Sequence, residues 1–184
     1  MKKVFILLPD GVGLRNFVFG NIQNVFKNFN ISIHYWNNTK YRIKDKTGYN
    51  EIKIVNAKNH FLSDLVKKAK TDIELKKSFI KTNDKAYLSY IFKVSNNSFK
   101  QVVKNLIVKY LILTNSYEKS VEKLFVKIAK HERKTAYYKQ SLKTLEQEKP
   151  NFLFCTNQRP ILAVAPMLAA RDLNIPTAVF IFSW

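Results

Sequence analysis

The chain has 184 residues, 46% hydrophobic and 14% aromatic, enough to bury an ordinary core in one domain or one large lobe and too many for a disordered chain. Its formal net charge is +19, carried mostly by lysine, with arginine only at Arg15, Arg42, Arg133, Arg159 and Arg171. No apolar run approaches the ~18 to 20 residues that span a bilayer, and Cys155, the only cysteine, excludes an internal disulfide and a multi-cysteine metal site.

In chain order, the apolar run 4–8 is too short for the core of a signal peptide. It is stopped by Pro9-Asp10-Gly11-Val12-Gly13, so it reads as a first strand and a tight turn. Leu14, Phe17, Val18, Ile22, Val25, Phe26 and Phe29 then recur at helical spacing and predict one amphipathic helix. The run 31–36 supplies the next strand, so the first forty residues predict a βαβ unit, and 51–55 is a weaker strand candidate.

From 60 to 149 there is neither glycine nor proline, and lysine-studded helical patterns take over. Residues 99–113 form an amphipathic segment after the polar loop Ser95-Asn96-Asn97-Ser98. Asn115 with Glu118 fits a capping box, opening a stripe that runs through Val121, Leu124, Phe125, Ile128, Ala129, Leu142 and Leu145. This middle region is read as a helical insertion of about 90 residues.

The closing segment, PNFLFCTNQRPILAVAPMLAARDLNIPTAVFIFSW, reads as strand, polar turn, helix and strand. Pro160 suits the first helical position, Pro166 predicts a kink, and Asn174 followed by Pro176 ends the helix. The flanking runs 152–155 and 177–182 are nearly continuous in apolar residues, as in parallel strands covered on both faces. The expected fold is therefore α/β: a Rossmann-like parallel sheet from 1–58 and 150–184, interrupted by a helical insertion over about 60–149. Because the sequence stops on a strand without a covering helix, a continuation beyond Trp184 is expected, with this chain a fragment.

Open parallel sheets bind ligands at the carboxyl ends of their strands, which directs attention to the two polar turns. The first offers Asp10, Gly11, Gly13, Arg15 and Asn16. Its backbone N–H groups and helix dipole could receive an anion; equally, the glycines could serve only to tighten the turn. The full GxGxxG fingerprint is absent, since the third position is Asn16, and there is no GxxxxGK[ST] loop. Asp10 is a candidate base or hydroxyl partner, with capping of the helix as the alternative. The second turn offers Asn157, Gln158 and Arg159, whose amides and guanidinium suit sugar hydroxyls and phosphates; alternatively Arg159 ties the turn to a neighbouring carboxylate. Ser183 and Trp184 end on the same rim, where the indole could stack on a sugar ring or belong to an unfinished core.

Cys155 is expected to pack as a small buried hydrophobe. His34, His60 and His131 show no ligand spacing, and no metal site is expected. Tyr137, Tyr138, Lys139 and Lys143 could form a nucleic-acid or membrane face, or the tyrosines could complete the packing while the lysines are solvated. The lysine excess is consistent with the codon bias of an AT-rich genome or with a surface that leans on anionic lipid headgroups. The scarcity of arginine disfavours base recognition in nucleic acid.

Taken together, KVFILLPDGVGLRNFVF at the start and the closing segment with TNQRP and IFSW resemble the amino-terminal, acceptor-binding lobe of bacterial glycosyltransferases of the GT-B fold. The resemblance covers roughly residues 1–36 and 150–184. It implies an acceptor site formed by Asp10, Gly11, Gly13, Arg15 and Asn16 in the first turn and Asn157, Gln158 and Arg159 in the second. A separate carboxyl-terminal lobe would hold a nucleotide-sugar donor, so this chain alone is expected to be inactive and to need no cofactor of its own. No histidine follows the first strand, so the catalytic histidine of some relatives has no counterpart. The implied partner is a sugar or lipid-linked acceptor of the cell envelope. With neither a signal-peptide core nor a spanning run in the sequence, the expected location is the cytoplasm, with the basic surface leaning on the inner face of the membrane. The alternatives are another enzyme of the same shape, a sugar epimerase or polyol-phosphate transferase, and a non-enzymatic basic protein that binds nucleic acid.

Overall fold

The computed structural model describes residues 1–91, 98–115 and 118–181. Two compact units divide the chain: Met1–Asn59 with Arg133–Trp184, and His60–Glu132.

The first unit is built on five strands, β1 Lys2–Leu8, β2 Ile31–Asn37, β3 Glu51–Lys53, β4 Phe152–Cys155 and β5 Thr177–Val179. Every pairing is parallel and the order is β3-β2-β1-β4-β5, the arrangement of a Rossmann-like α/β sheet. β1 is central and continuous with the predicted apolar run; Phe5, Ile6, Leu7 and Leu8 are fully buried. From β1 the chain winds first toward β2 and β3, then returns to the other side of β1 to lay down β4 and β5. The carboxyl ends of β1 and β4 therefore flank the topological switch point.

Residues 14–29, predicted as one helix, form two short ones, α1 Val12–Phe17 and α2 Ile22–Lys27. The break is at Gly20, where a Cβ would lie 2.5 Å from the Asn16 carbonyl oxygen, so only glycine lets the chain double back over the end of α1. Phe17 and Val18 are thereby turned into the core with Ile6, Leu8, Ile33, Tyr35 and Ile43. Each such side chain contributes roughly 1.5–3 kcal/mol on burial. The Tyr35 hydroxyl donates to the Phe17 carbonyl at 2.5 Å and accepts from Gln23 at 3.2 Å, and burial pushes its pKa up to about 12. A small helix, α3 Ile43–Thr47, joins β2 to β3 and ends at Gly48, whose φ of 72° no side chain adopts readily.

The second unit contains α4 Phe61–Thr82, α5 Ala86–Ser89, α6 Phe99–Thr114 and α7 Glu118–Glu132, with α6 and α7 each packed against α4. Buried Leu65, Val66, Ala69 and Ile73 of α4 recur at helical spacing. His60 caps α4 by accepting from Leu62 N–H, and its own N–H is held by Glu132 at 3.0 Å while its ring stacks on His131. Burial raises the pKa of Glu132 from its ordinary value.

Three expectations for the middle region change. Asn115 does not open a capping box: its amide donates to the Leu111 carbonyl at 2.8 Å and closes α6 instead. The stripe from Val121 to Leu145 is not one helix, because α7 stops at Glu132 and α8 begins at Ala136, capped by the Thr135 hydroxyl accepting from Tyr138 N–H at 3.0 Å. The expected 60–149 block is accordingly divided: α8, Ala136–Glu148, packs on α9, Val164–Asp172, within the first unit. Part of the predicted loop, Ser95 to Asn97, lies outside the described residues; Ser98 caps α6 by accepting from Gln101 N–H.

In the closing segment, Pro160 has extended ψ and precedes a 3-10 turn at Ile161–Ala163 rather than starting the helix itself. The predicted kink at Pro166 does not arise, since α9 begins at Val164 and Pro166 falls in its first turn, where no N–H is needed for the helical ladder. Asn174, at φ 56°, ends the helix as expected, with Ile175 N–H on the Ala170 carbonyl and Asn174 N–H on that of Arg171. β5 is shorter than predicted, and Phe182 lies outside the described residues. Covering of β4 is uneven between its two faces: Leu153 and Cys155 are buried, whereas Phe152 and Phe154 are half-buried on the opposite face, where Phe154 packs on Phe17 of α1.

Candidate functional site

β1 ends at Leu8 and β4 at Cys155, in parallel register with Leu7 opposite Cys155, so the polar turns that follow emerge side by side. The Asn157 amide donates from Nδ2 to Oδ2 of Asp10 at 2.8 Å, across 147 residues of sequence. The other Asp10 oxygen, Oδ1, accepts from Val12 N–H at 3.0 Å, the first N–H of α1. Asn157 is itself buried and its Oδ1 accepts from Arg159 N–H at 3.0 Å. Each residue thus folds its own turn through a side-chain-to-backbone bond and then joins the other turn.

Beneath this bridge lies Thr156, fully buried, whose N–H and hydroxyl both donate to the Leu7 carbonyl, at 3.1 and 3.0 Å. Gly13 sits directly against it: a Cβ there would lie 2.4 Å from Thr156 Oγ1, 2.6 Å from its Cβ and 2.9 Å from Leu8 Cδ2. The glycine's role is close packing of α1 on the strand ends. Gly11, with φ −75° and nothing nearer to an added Cβ than Leu14 at 4.0 Å, has no such constraint.

Several candidate residues separate from the bridge. Arg15 and Asn16 lie exposed in the last turn of α1, and among the described residues no contact joins Arg15 to Asp10 or Asn157. With six residues α1 carries little dipole, and its first N–H is already taken by Asp10. Gln158 and Arg159 are exposed at the rim beside Asn157. Ser183 and Trp184 lie outside the described residues. Cys155 is buried and its thiol donates to the Asn157 carbonyl at 3.2 Å; burial pushes its pKa up to about 11 and removes it as a nucleophile.

Asn38, which sequence reasoning passed over, completes the rim. It follows β2 directly, its N–H donates to the Leu8 carbonyl and its Nδ2 to that of Pro9, both at 3.0 Å, fixing the start of the first turn. A polar residue just past an apolar strand was the available signal. Tyr137 and Tyr138, candidates for a binding face, are buried, and the Tyr138 hydroxyl donates to Asp172 at 2.5 Å. Arg133 grips the same carboxylate with two bonds of 2.8 and 2.7 Å. Only Lys139 and Lys143 of that set face solvent.

The rim is polar. An apolar recess of about 280 Å³ lies elsewhere, lined by Val4, Ile6, Ile22, Phe26, Ile31, Phe152 and Phe154 on the half-covered sheet face. Among the described residues no group of three or more His, Cys, Asp or Glu side chains is placed to hold a metal ion, and no helix is long and apolar enough to cross a membrane.

Fold and site define a Rossmann-like α/β unit with a carboxylate–amide bridge at its switch point. Comparison with protein-family models, with curated proteins and with solved structures finds no match for this chain.

Proposed function

We propose that this chain supplies the acceptor-binding lobe of a glycosyltransferase, which transfers a sugar from a nucleotide-sugar donor to a cell-envelope or other glycan acceptor at the inner face of the membrane. The observation that carries this reading is the Asn157–Asp10 hydrogen bond, which draws two turns far apart in sequence into one polar rim at the position where parallel sheets bind ligands. A carboxylate has about four lone-pair sites, so with one hydrogen bond on each oxygen Asp10 retains capacity to receive an acceptor hydroxyl. Gln158, exposed beside it, offers the amide donor and acceptor that neighbouring hydroxyls require, and Arg159 places a fixed cation at the same rim.

In the proposed reaction Asp10 takes the proton of the acceptor hydroxyl as its oxygen bonds to the anomeric carbon and the nucleoside diphosphate departs. In the family that the chain resembles, a second lobe holds the donor and neutralises that leaving group. Saturation-transfer NMR of the chain against a panel of mono- and oligosaccharides, nucleotide sugars and single-stranded RNA tests the reading. It predicts that saccharides bind at millimolar concentration and that Gln158→Ala/Arg159→Ala, a change confined to exposed side chains, weakens them at least about tenfold. Binding of RNA alone, or of no saccharide, contradicts it.

A further inference from the structure

α6 packs on α4 through Val108, with Ile107, Leu111 and Ile112 beside it, yet its opposite side is also apolar. Phe99, Val103, Leu106, Tyr110 and Leu113 follow one another at alternating spacings of four and three residues. At 100° per residue they fall within an arc of about 80°. They are solvent-exposed: Phe99 84%, Leu106 60%, Tyr110 65% and Leu113 79%. A contiguous apolar strip of this kind marks a contact surface.

The charges beside the strip identify its partner. α6 has three lysines and no acidic residue. The same helical geometry sets Lys100 on one flank of the strip and Lys109 on the other, about 100° and 80° from its centre, with Lys104 further round the helix at about 140°. All three are exposed, and among the described residues none is in an ion pair. Lysines on both flanks of an apolar strip can reach past it to anionic headgroups while the strip enters the acyl boundary. At about 24 Å the helix is shorter than the hydrocarbon core, so it suits lying in the interface and not crossing it. A second copy of this chain would bring the same cations to both sides of one seam, on a chain of net charge +19. Nucleic acid would meet five apolar side chains where phosphates need donors.

We infer that the exposed face of α6 docks this protein on an anionic lipid surface, with Phe99, Leu106, Tyr110 and Leu113 entering the interface and Lys100 and Lys109 on headgroups. The inference stands independently of the sugar-transfer reading, since it concerns a different unit of the chain and a different ligand.

Sedimentation with vesicles of phosphatidylcholine alone or mixed with phosphatidylglycerol tests it on the whole chain. The mixed vesicles are expected to capture the protein, in a salt-sensitive manner, and the neutral ones to capture it weakly. Lys100→Gln/Lys109→Gln should lower the partition coefficient about twenty- to thirtyfold, at roughly fivefold per lysine. Leu106→Asn/Leu113→Asn, at exposed positions that leave the α4 contact intact, should lower it about a hundredfold even at low salt. Lys139→Gln/Lys143→Gln removes the same charge from α8 and should leave it unchanged. Equal loss in both lysine pairs would mean diffuse attraction and overturn the assignment. So would unaltered binding in the leucine variant, or sedimentation velocity showing a dimer that the leucine variant dissolves.

Discussion

Replacing Gly13 with alanine tests the packing that brings the two turns together. Any Cβ at this position overlaps Thr156 at both Oγ1 and Cβ, at 2.4 and 2.6 Å, and approaches Leu8 Cδ2 at 2.9 Å. Thr156 cannot swing aside cheaply, being β-branched, fully buried and tied by its hydroxyl to the Leu7 carbonyl. Overpacking of this kind costs typically 1–3 kcal/mol, and a stiff neighbour on a central strand end puts the cost near 3 kcal/mol. Alanine returns about 0.5–1 kcal/mol through helix propensity. The net loss is about 2 kcal/mol, or roughly 4–8 °C in Tm for a chain of this size. Gly11→Ala is the matched control, since its backbone and surroundings accept a methyl group, and it should stay within about 0.5 kcal/mol of wild type. Urea denaturation followed by circular dichroism measures both. Equal stability of Gly13→Ala and wild type, or equal damage from both substitutions, would refute the close-packing argument.

Two further predictions follow from burial and pairing. Cys155, with its thiol pushed up to about 11, should resist a disulfide reagent at neutral pH in the folded protein and react fully once urea unfolds it; rapid native labelling would contradict its placement. The hydrogen bonds from Arg133 hold Asp172 down at about 2 against an ordinary 3.8. The folded-state pKa is the lower one, so the pair's contribution is present above about pH 4 and lost as pH falls through about 2. Allowing for solvent screening of a partly exposed pair it is worth about 1 kcal/mol. Arg133→Gln should therefore lower stability at pH 7 by about that amount and match wild type near pH 2, as measured by urea midpoints at the two pH values.

The strands were legible because each is a short apolar run stopped by proline, glycine or a polar turn: 4–8, 31–36 and 152–155 fall within or on β1, β2 and β4. Helix limits were less so. Periodicity carries Leu14 to Phe29 across the break at Gly20, because what ends α1 is a backbone contact with the Asn16 carbonyl and not a change in hydrophobic pattern. The same holds at Arg133–Thr135, where the stripe continues in sequence although Thr135 caps a new helix that belongs to the sheet-bearing unit. The two polar turns could be read from the residues one at a time, and only the family resemblance joined them into one site. The Asp10–Asn157 bond itself could not be read, since it depends on β4 lying beside β1, a pairing that nothing local encodes. The exposed strip of α6 was hidden for a different reason. Apolar residues surround that helix, and only its packing on α4 shows which of them remain outside.

The bridge as an acceptor site is tested most directly by amide chemical-shift mapping during titration with a bound saccharide. The account predicts that the Asn157 side-chain amide and the Val12 and Arg159 backbone amides shift first and together, since these are the groups that hold Asp10 and its turn in place. Shifts confined to Val4, Ile22, Phe152 and Phe154, around the apolar recess, would place the ligand elsewhere and contradict it.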